Sequence, residues 1–185
     1  MNLYEIKEKI LLSGKLVYST KELSKLISRK PEITNVYIHR LIKKGFTKKI
    51  NGKVIFTYDD YVLGTQLVEP SYISLTSALF FHNIINQVPA ITTCVTTIKN
   101  KQFKDIQTKY HKITPKLFFG YKKHLLDNSY AYIASPEKAI LDGIYLKIFT
   151  KIIIKNNLER LNLKLLKKYS KLYPLRVRKE LENVW

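Results

Sequence analysis

The chain has 185 residues, 33 of them Lys or Arg against 14 acidic, for a formal charge of +19. This length holds one domain or two small ones. No apolar run approaches the roughly 20 residues of a membrane span, and no charged-then-apolar leader opens the sequence, so a cytoplasmic protein with no membrane partner is expected. The single cysteine, Cys94, excludes an internal disulfide.

The basic excess runs through the whole chain: 13 basic against 6 acidic residues in 1–66, 10 against 5 in 67–150, and 10 against 3 in 151–185. Such a field attracts polyanions, with nucleic acid first among them. Only five of the cations are Arg. A Lys-rich, Ile- and Asn-rich composition also arises from AT-rich coding or life at high temperature, so charge alone does not assign a partner.

Leu3, Ile6 and Ile10 recur at helical spacing and predict a first helix over residues 2–12, ended by Gly14. Leu16, Val17 and Tyr18 form an extended link. Ser19 and Glu22 have capping-box spacing for a second helix to about Ile27. In Ser28-Arg29-Lys30-Pro31 the proline is expected to stop any continuation, and Thr34 to cap a third helix that ends at Gly45. Ile38, Leu41 and Ile42 would face the core. Asn35, Val36, His39, Arg40, Lys43 and Lys44 would then face outward. Asn and Arg suit bidentate base contacts, Val a thymine methyl, and Lys a phosphate.

Residues 46–50 and 53–57 are short β-rich runs joined by Asn51-Gly52, a strong hairpin signal because both positions tolerate positive φ. Three helices followed by a hairpin bearing Lys48, Lys49 and Lys53 predict a winged helix-turn-helix over residues 1–66. Its third helix would sit in a major groove and its wing along phosphates of double-stranded DNA. Thr34 is included with the helix residues as a DNA contact.

Residues 59–70 read as the boundary to a second, mixed α+β domain over 67–185. Ser74 is expected to cap a short helix carrying Leu75, Ala78, Leu79 and His82. Residues 91–98 read as a buried strand, with strand-like pieces near 103–113, 117–123 and 130–134. Ser135-Pro136-Glu137 starts a helix to about Phe149 that buries Ala139, Ile140, Ile144 and Ile148. Residues 158–171 and 175–184 read as two amphipathic helices separated by Pro174.

Catalytic patterns are sparse. No Gly-rich phosphate loop and no Cys/His zinc spacing is present, so no metal and no cofactor is expected. His82, His111 and His124 stand apart, and Cys94 reads as inert core. Asp127, Glu137, Lys138 and Asp142 raise the idea of a metal-dependent nuclease, but Glu137 and Lys138 are adjacent at a helix start, where a first-turn role explains the acid more simply. The chain is expected not to be an enzyme.

The blocks EPSYISLTSALFFHNIINQVP, ITTCVTTIKNKQF, ITPKLFFGYKK and YAYIASPEKAILDGIYL, taken in order, resemble the signature blocks of the AbiEi antitoxin family, transcriptional regulators of phage defence systems. The resemblance covers about residues 8–180. It implies a type IV toxin–antitoxin component whose winged helix represses its own operon through promoter repeats. Its C-terminal domain would counter a nucleotidyltransferase toxin without contact being required. It implies a reading helix over 34–44, a wing over 48–53, and an antitoxin determinant within 69–184. A homodimer is compatible with this arrangement. Asn83 stands where the family often has Gly, a position Asn can fill in the left-handed conformation. The alternative from the residues is a stand-alone winged-helix regulator, or a protein-interaction module with no toxin partner.

Overall fold

The computed structural model describes residues 2–126 and 128–184, and the protein is α+β. It divides into two compact units: Met1–Glu69 with His124–Ala131, and Pro70–Lys123 with Tyr132–Trp185.

In the first unit, α1 (Leu3–Ser13) starts at a capping box formed by Asn2 and Glu5 and ends at Gly14, whose φ of 72° is the left-handed stop. Next come β1 (Val17–Ser19), α2 (Thr20–Leu26), α3 (Pro31–Lys43), β2 (Lys48–Ile50) and β3 (Lys53–Ile55). The Ser19–Glu22 capping box forms as its spacing predicts. Asn51 (φ 50°) and Gly52 (φ 76°) close the β2–β3 turn. The chain then returns so that β3 pairs antiparallel with both β1 and β2, in the order β1-β3-β2. Ile6, Ile10, Leu23, Ile27, Ile38, Leu41 and Val54 form the core, with Leu126 packed against it.

Three expectations for this unit need correction. α2 ends before Pro31 as expected, but α3 begins at Pro31 and not after Thr34, since the first helical position needs no N–H and favours proline's fixed φ. Thr34 is therefore inside the helix and is not its cap. It is fully buried, its hydroxyl donating to the Lys30 carbonyl (3.0 Å) and lying 3.0 Å from the Ser24 hydroxyl. Ile42 lies outside the core, 39% exposed. Residues 59–70 are no simple boundary, because they contain α4 (Asp60–Leu67), capped by the Asp59 carboxylate accepting from Val62 N–H at 2.8 Å.

Gln66 on α4 is 1% exposed and fully engaged within the unit. Its carbonyl oxygen accepts from Leu16 N–H (2.8 Å) and Val17 N–H (3.2 Å). Its amide donates to the Ser129 hydroxyl (3.0 Å) and the Tyr130 carbonyl (3.1 Å). One side chain thus satisfies four buried polar partners, which is why a glutamine is tolerated in an apolar setting.

The second unit is organised on a six-stranded sheet. Its elements are β4 (Ser71–Ile73), α5 (Leu75–Phe81), β5 (Thr92–Thr96), β6 (Lys101–Phe103), β7 (Thr108–Lys112), β8 (Tyr121–Leu126), β9 (Ser129–Ala134), α6 (Pro136–Tyr145), α7 (Lys151–Asn157), α8 (Leu163–Ser170) and α9 (Leu175–Glu182). The strand order is β6-β7-β5-β4-β9-β8. β5 runs parallel to β7 and β4 parallel to β9, while β4–β5 and β6–β7 are antiparallel. The end of the β8–β9 hairpin is the segment that groups with the first unit. α6 packs against α5, α8 and α9.

Cys94 and Val95 are buried on β5, as the β-branched run suggests, and burial pushes the Cys94 thiol up. Asn83 takes the left-handed conformation (φ 56°). Other expectations shift. Residues 71–73, for which no element was expected, form the central strand β4. α6 ends at Tyr145, followed by Lys147 at φ 57°, which leaves Ile148 exposed. Among the described residues the tail holds three α-helices, α7, α8 and α9. Thr150 caps α7, and Asn162 caps α8 through Leu165 N–H at 3.0 Å, breaking the continuous 158–171 helix.

Candidate nucleic-acid interface

α3 buries Thr34, Ile38 and Leu41, one stripe at spacings of four and three. That rotation leaves Asn35, Val36, His39, Arg40, Lys43 and Lys44 exposed. Among the described residues none of these side chains has a hydrogen-bond or ion-pair partner, so the donors of Asn35, Arg40 and Lys43 meet only solvent. Glu32 is the one acid on the helix, in its first turn.

The hairpin divides its lysines. Lys48 and Lys49 are exposed on β2, with Lys48 Nζ lying 5.1 Å from the centre of the Tyr58 ring. Lys53 is turned inward: its Nζ donates to the Gln66 carbonyl (2.9 Å) and lies 3.5 Å from Glu69. Glu69 is also held by Lys15 at 2.8 Å. Lys53 is therefore a strut within its own unit, and its place among the wing's phosphate contacts is withdrawn. Thr34 is withdrawn for the same kind of reason, being buried and hydrogen-bonded. The other eight candidates, Asn35, Val36, His39, Arg40, Lys43, Lys44, Lys48 and Lys49, stay at the surface.

Cations not singled out from the sequence gather at the entry to α3. Lys21, Lys25, Arg29 and Lys30 line a notch with Ser24, Ser28 and Pro31. None of the four is paired among the described residues. The signal was present in Ser28-Arg29-Lys30-Pro31, but a turn reading gave no reason to group those residues with Lys21 and Lys25, about two and one helical turns earlier.

Lys15 and Glu22 pair at the start of α2. Burial raises the Glu22 carboxyl, but the Ser19 hydroxyl and backbone N–H, together with Lys15 at 2.9 Å, outweigh it and hold the group at about 2. Burial likewise lowers Lys15, and Glu69 and Glu22 more than reverse it.

The acids and lysine considered for a nuclease take a different form. Asp127 lies outside the described residues. Glu137 is nearly buried, and its carboxylate accepts from Asn162 N–H at 2.8 Å. Lys138 and Asp142, one turn apart on α6, are completely buried and ion-paired. Asp142 accepts from Lys138 Nζ, the Tyr173 hydroxyl (2.7 Å), the Tyr72 hydroxyl (3.0 Å) and the Ser74 hydroxyl (2.8 Å). Ser74 thus spends its hydroxyl here instead of capping α5.

Lys138 also donates to Tyr173 at 2.6 Å and lies 5.0–5.4 Å from the ring centres of Phe119, Tyr173 and Tyr72. Burial lowers Lys138 and Asp142 opposes it, while burial and Asp142 push both tyrosine hydroxyls up. Four donors thus converge on one carboxylate, and two of them, Lys138 and Tyr173, also bond each other.

Both side chains of this ion pair are 0% exposed. Gly120 (φ 73°) closes over it so tightly that a Cβ there would meet the Lys138 stem at 3.1 Å. Among the described residues no group of three His, Cys, Asp or Glu side chains is placed to hold a metal ion, and no helix is long and apolar enough to cross a membrane. His82 bonds the Ala134 carbonyl (2.9 Å) from within its own unit, and His111 is lowered by burial and by Lys109. No protein-family model and no curated protein matches the chain.

Proposed function

We propose that this protein is a sequence-specific DNA-binding repressor and that its first unit is a winged helix-turn-helix. The observation that carries the reading is the outer face of α3, where Asn35, Val36, His39, Arg40 and Lys43 stand exposed and unpaired on a helix anchored by Thr34, Ile38 and Leu41. The order α1-β1-α2-α3-β2-β3, with β3 between β1 and β2, supports it, since a winged helix arranges its strands that way. In this reading α3 enters a major groove, while Lys48 and Lys49 on the hairpin and the cations at the α2–α3 turn neutralise phosphates. The resemblance to AbiEi antitoxins extends the proposal: the repressor controls its own operon in the cytoplasm and relieves a nucleotidyltransferase toxin encoded beside it. No catalytic step belongs to the proposal, and the closed Lys138–Asp142 pair supports a structural use of those residues.

The test is a shift assay with the duplex upstream of the protein's own coding sequence. Arg40→Ala is expected to weaken binding about tenfold, in line with a lost base contact, and to leave the helical circular dichroism unchanged. Unchanged affinity at about 0.15 M salt would remove α3 as the reading element. One observation favours a second reading: Ile33, Val36 and Ile42 are apolar and exposed on the same helix, as in a protein-binding face. A stable complex with the neighbouring gene product, together with no DNA affinity, would select that reading.

A further inference from the structure

The second unit carries a second concentration of cations with its own geometry. Residues 99–112 hold Lys99, Lys101, Lys104, Lys109 and Lys112 against a single acid, Asp105. This stretch forms the β6–β7 hairpin at one end of the sheet, with β6 outermost. Lys99, Lys104, Lys109 and Lys112 are exposed and make no ion pair among the described residues.

The strand register groups the side chains. Gln102 pairs across from Lys109, and His111 follows Lys109 by two residues, so the three share one face of the hairpin. Asn100, two residues before Gln102, comes to the same place. Its carbonyl oxygen accepts from Lys112 N–H at 2.7 Å, and its NH₂ has no partner among the described residues. The Gln102 amide has no partner among the described residues either. Asn100, Gln102, Lys109 and His111, with Lys101 and Tyr110, line one open notch. His111 is half-buried, and burial with Lys109 beside it lowers its pKa.

We propose that this sheet end is a binding surface for single-stranded nucleic acid, distinct from α3 and independent of its reading. The lysines would hold the sugar–phosphate chain, and the two amides and the imidazole would meet base edges and faces. Amides offer both donors and acceptors, which match the edges of unpaired bases, and an imidazole offers a ring face for stacking. A duplex fits poorly. A major groove about 12 Å wide admits a helix or a two-stranded ribbon. β7, however, is bonded on its far side to β5, so the hairpin is the rim of a wide sheet and cannot be inserted. A single strand needs no groove and lies across an exposed strand pair.

The experiment is fluorescence anisotropy on the full chain with labelled 12-nucleotide single strands of mixed sequence, as RNA and as DNA, over about 0.05–0.2 M salt. Lys104→Glu with Lys109→Glu is expected to weaken single-strand binding at least tenfold. The slope of log affinity against log salt should fall by about 1.4, two phosphate contacts at about 0.7 each. Lys164→Glu with Lys168→Glu, the same charge change at exposed positions on α8, should cost less than threefold. Gln102→Ala with His111→Ala should weaken binding three- to tenfold at an unchanged salt slope, and it keeps the test available if the charge reversal disturbs folding.

Equal losses for the two charge-reversed pairs would reduce the surface to general electrostatics and overturn the proposal. So would full affinity in the Gln102→Ala, His111→Ala protein. The RNA and DNA arms tell which strand is preferred. Arg40→Ala, which tests the α3 reading, should leave single-strand binding intact, so the two proposals fail separately.

Discussion

α3 and α6 begin alike and end as opposites. Each has Pro at its first position and an acid directly after it, Pro31-Glu32 and Pro136-Glu137. α3 buries a narrow stripe and turns Arg40 and Lys43 to solvent. α6 is buried from Glu137 through Ile144, with Lys138 and Asp142 inside. The difference lies in what surrounds the charges. Around α6, Tyr72, Ser74 and Tyr173 supply three hydroxyl donors and Phe119 an aromatic wall, so an ion pair can leave water without losing hydrogen bonds. Around the outer face of α3 no such partner lies among the described residues, and its cations face solvent.

The largest expected effect breaks the α6 side of this contrast. Asp142→Ala would strand the Lys138 ammonium and three hydroxyls in a dry core, with a loss of about 3–5 kcal/mol in urea unfolding. Removing both charges, in Lys138→Met with Asp142→Leu, is expected to cost less than Asp142→Ala alone, because an uncompensated charge is worse than none. If the double variant is the less stable one, the pair stabilises the fold on balance and does more than fill the core. Arg40→Ala on α3 should by contrast change stability by no more than about 0.5 kcal/mol.

A middle-sized effect belongs to Glu22, which sits between these extremes as a partly exposed ion pair. Its carboxyl is held at about 2 against an ordinary 4.5, so its contribution is complete above about pH 4.5 and disappears as pH falls toward 2. With 41% of the side chain exposed, screening limits the contribution to about 1 kcal/mol. Urea unfolding of the wild type and Glu22→Gln should differ by that amount at pH 7 and converge near pH 2. An equal gap at both pH values would mean that the difference comes from the lost cap geometry and not from ionisation.

Local signals carried much of this fold. The Ser19–Glu22 box, Gly14, Asn51-Gly52 and Ser135-Pro136 each fix a boundary through contacts within four residues, and each formed where the sequence placed it. What was hidden depends on distant partners. Nothing near Lys138 reveals that Tyr72 and Tyr173 will meet it, and i,i+4 Lys–Asp spacing ordinarily marks a solvated helix face. Gln66 is similar, being justified only by Leu16, Val17, Ser129 and Tyr130. At the α3 face the types and rotation were legible from the stripe of Ile38 and Leu41. Thr34 was misplaced because Pro31 was read as a stop, which moved the helix start by one turn.

The smallest expected effect separates two lysines of the same hairpin. Lys49 is exposed on β2, whereas Lys53 Nζ is engaged by the Gln66 carbonyl at 2.9 Å and by Glu69 at 3.5 Å. If the hairpin lies along phosphates, Lys49→Ala releases one fewer counterion and flattens the salt slope of duplex binding by about 0.9. Lys53→Ala removes a charge that its own unit already occupies, so the slope should stay the same within error and unfolding should cost about 0.5 kcal/mol. Equal flattening by the two substitutions would mean that Lys53 exchanges Glu69 for DNA on binding. The α4 end of the first unit would then be part of the interface, and the division between structural and ligand-facing cations would lie farther from α3 than the unbound geometry places it.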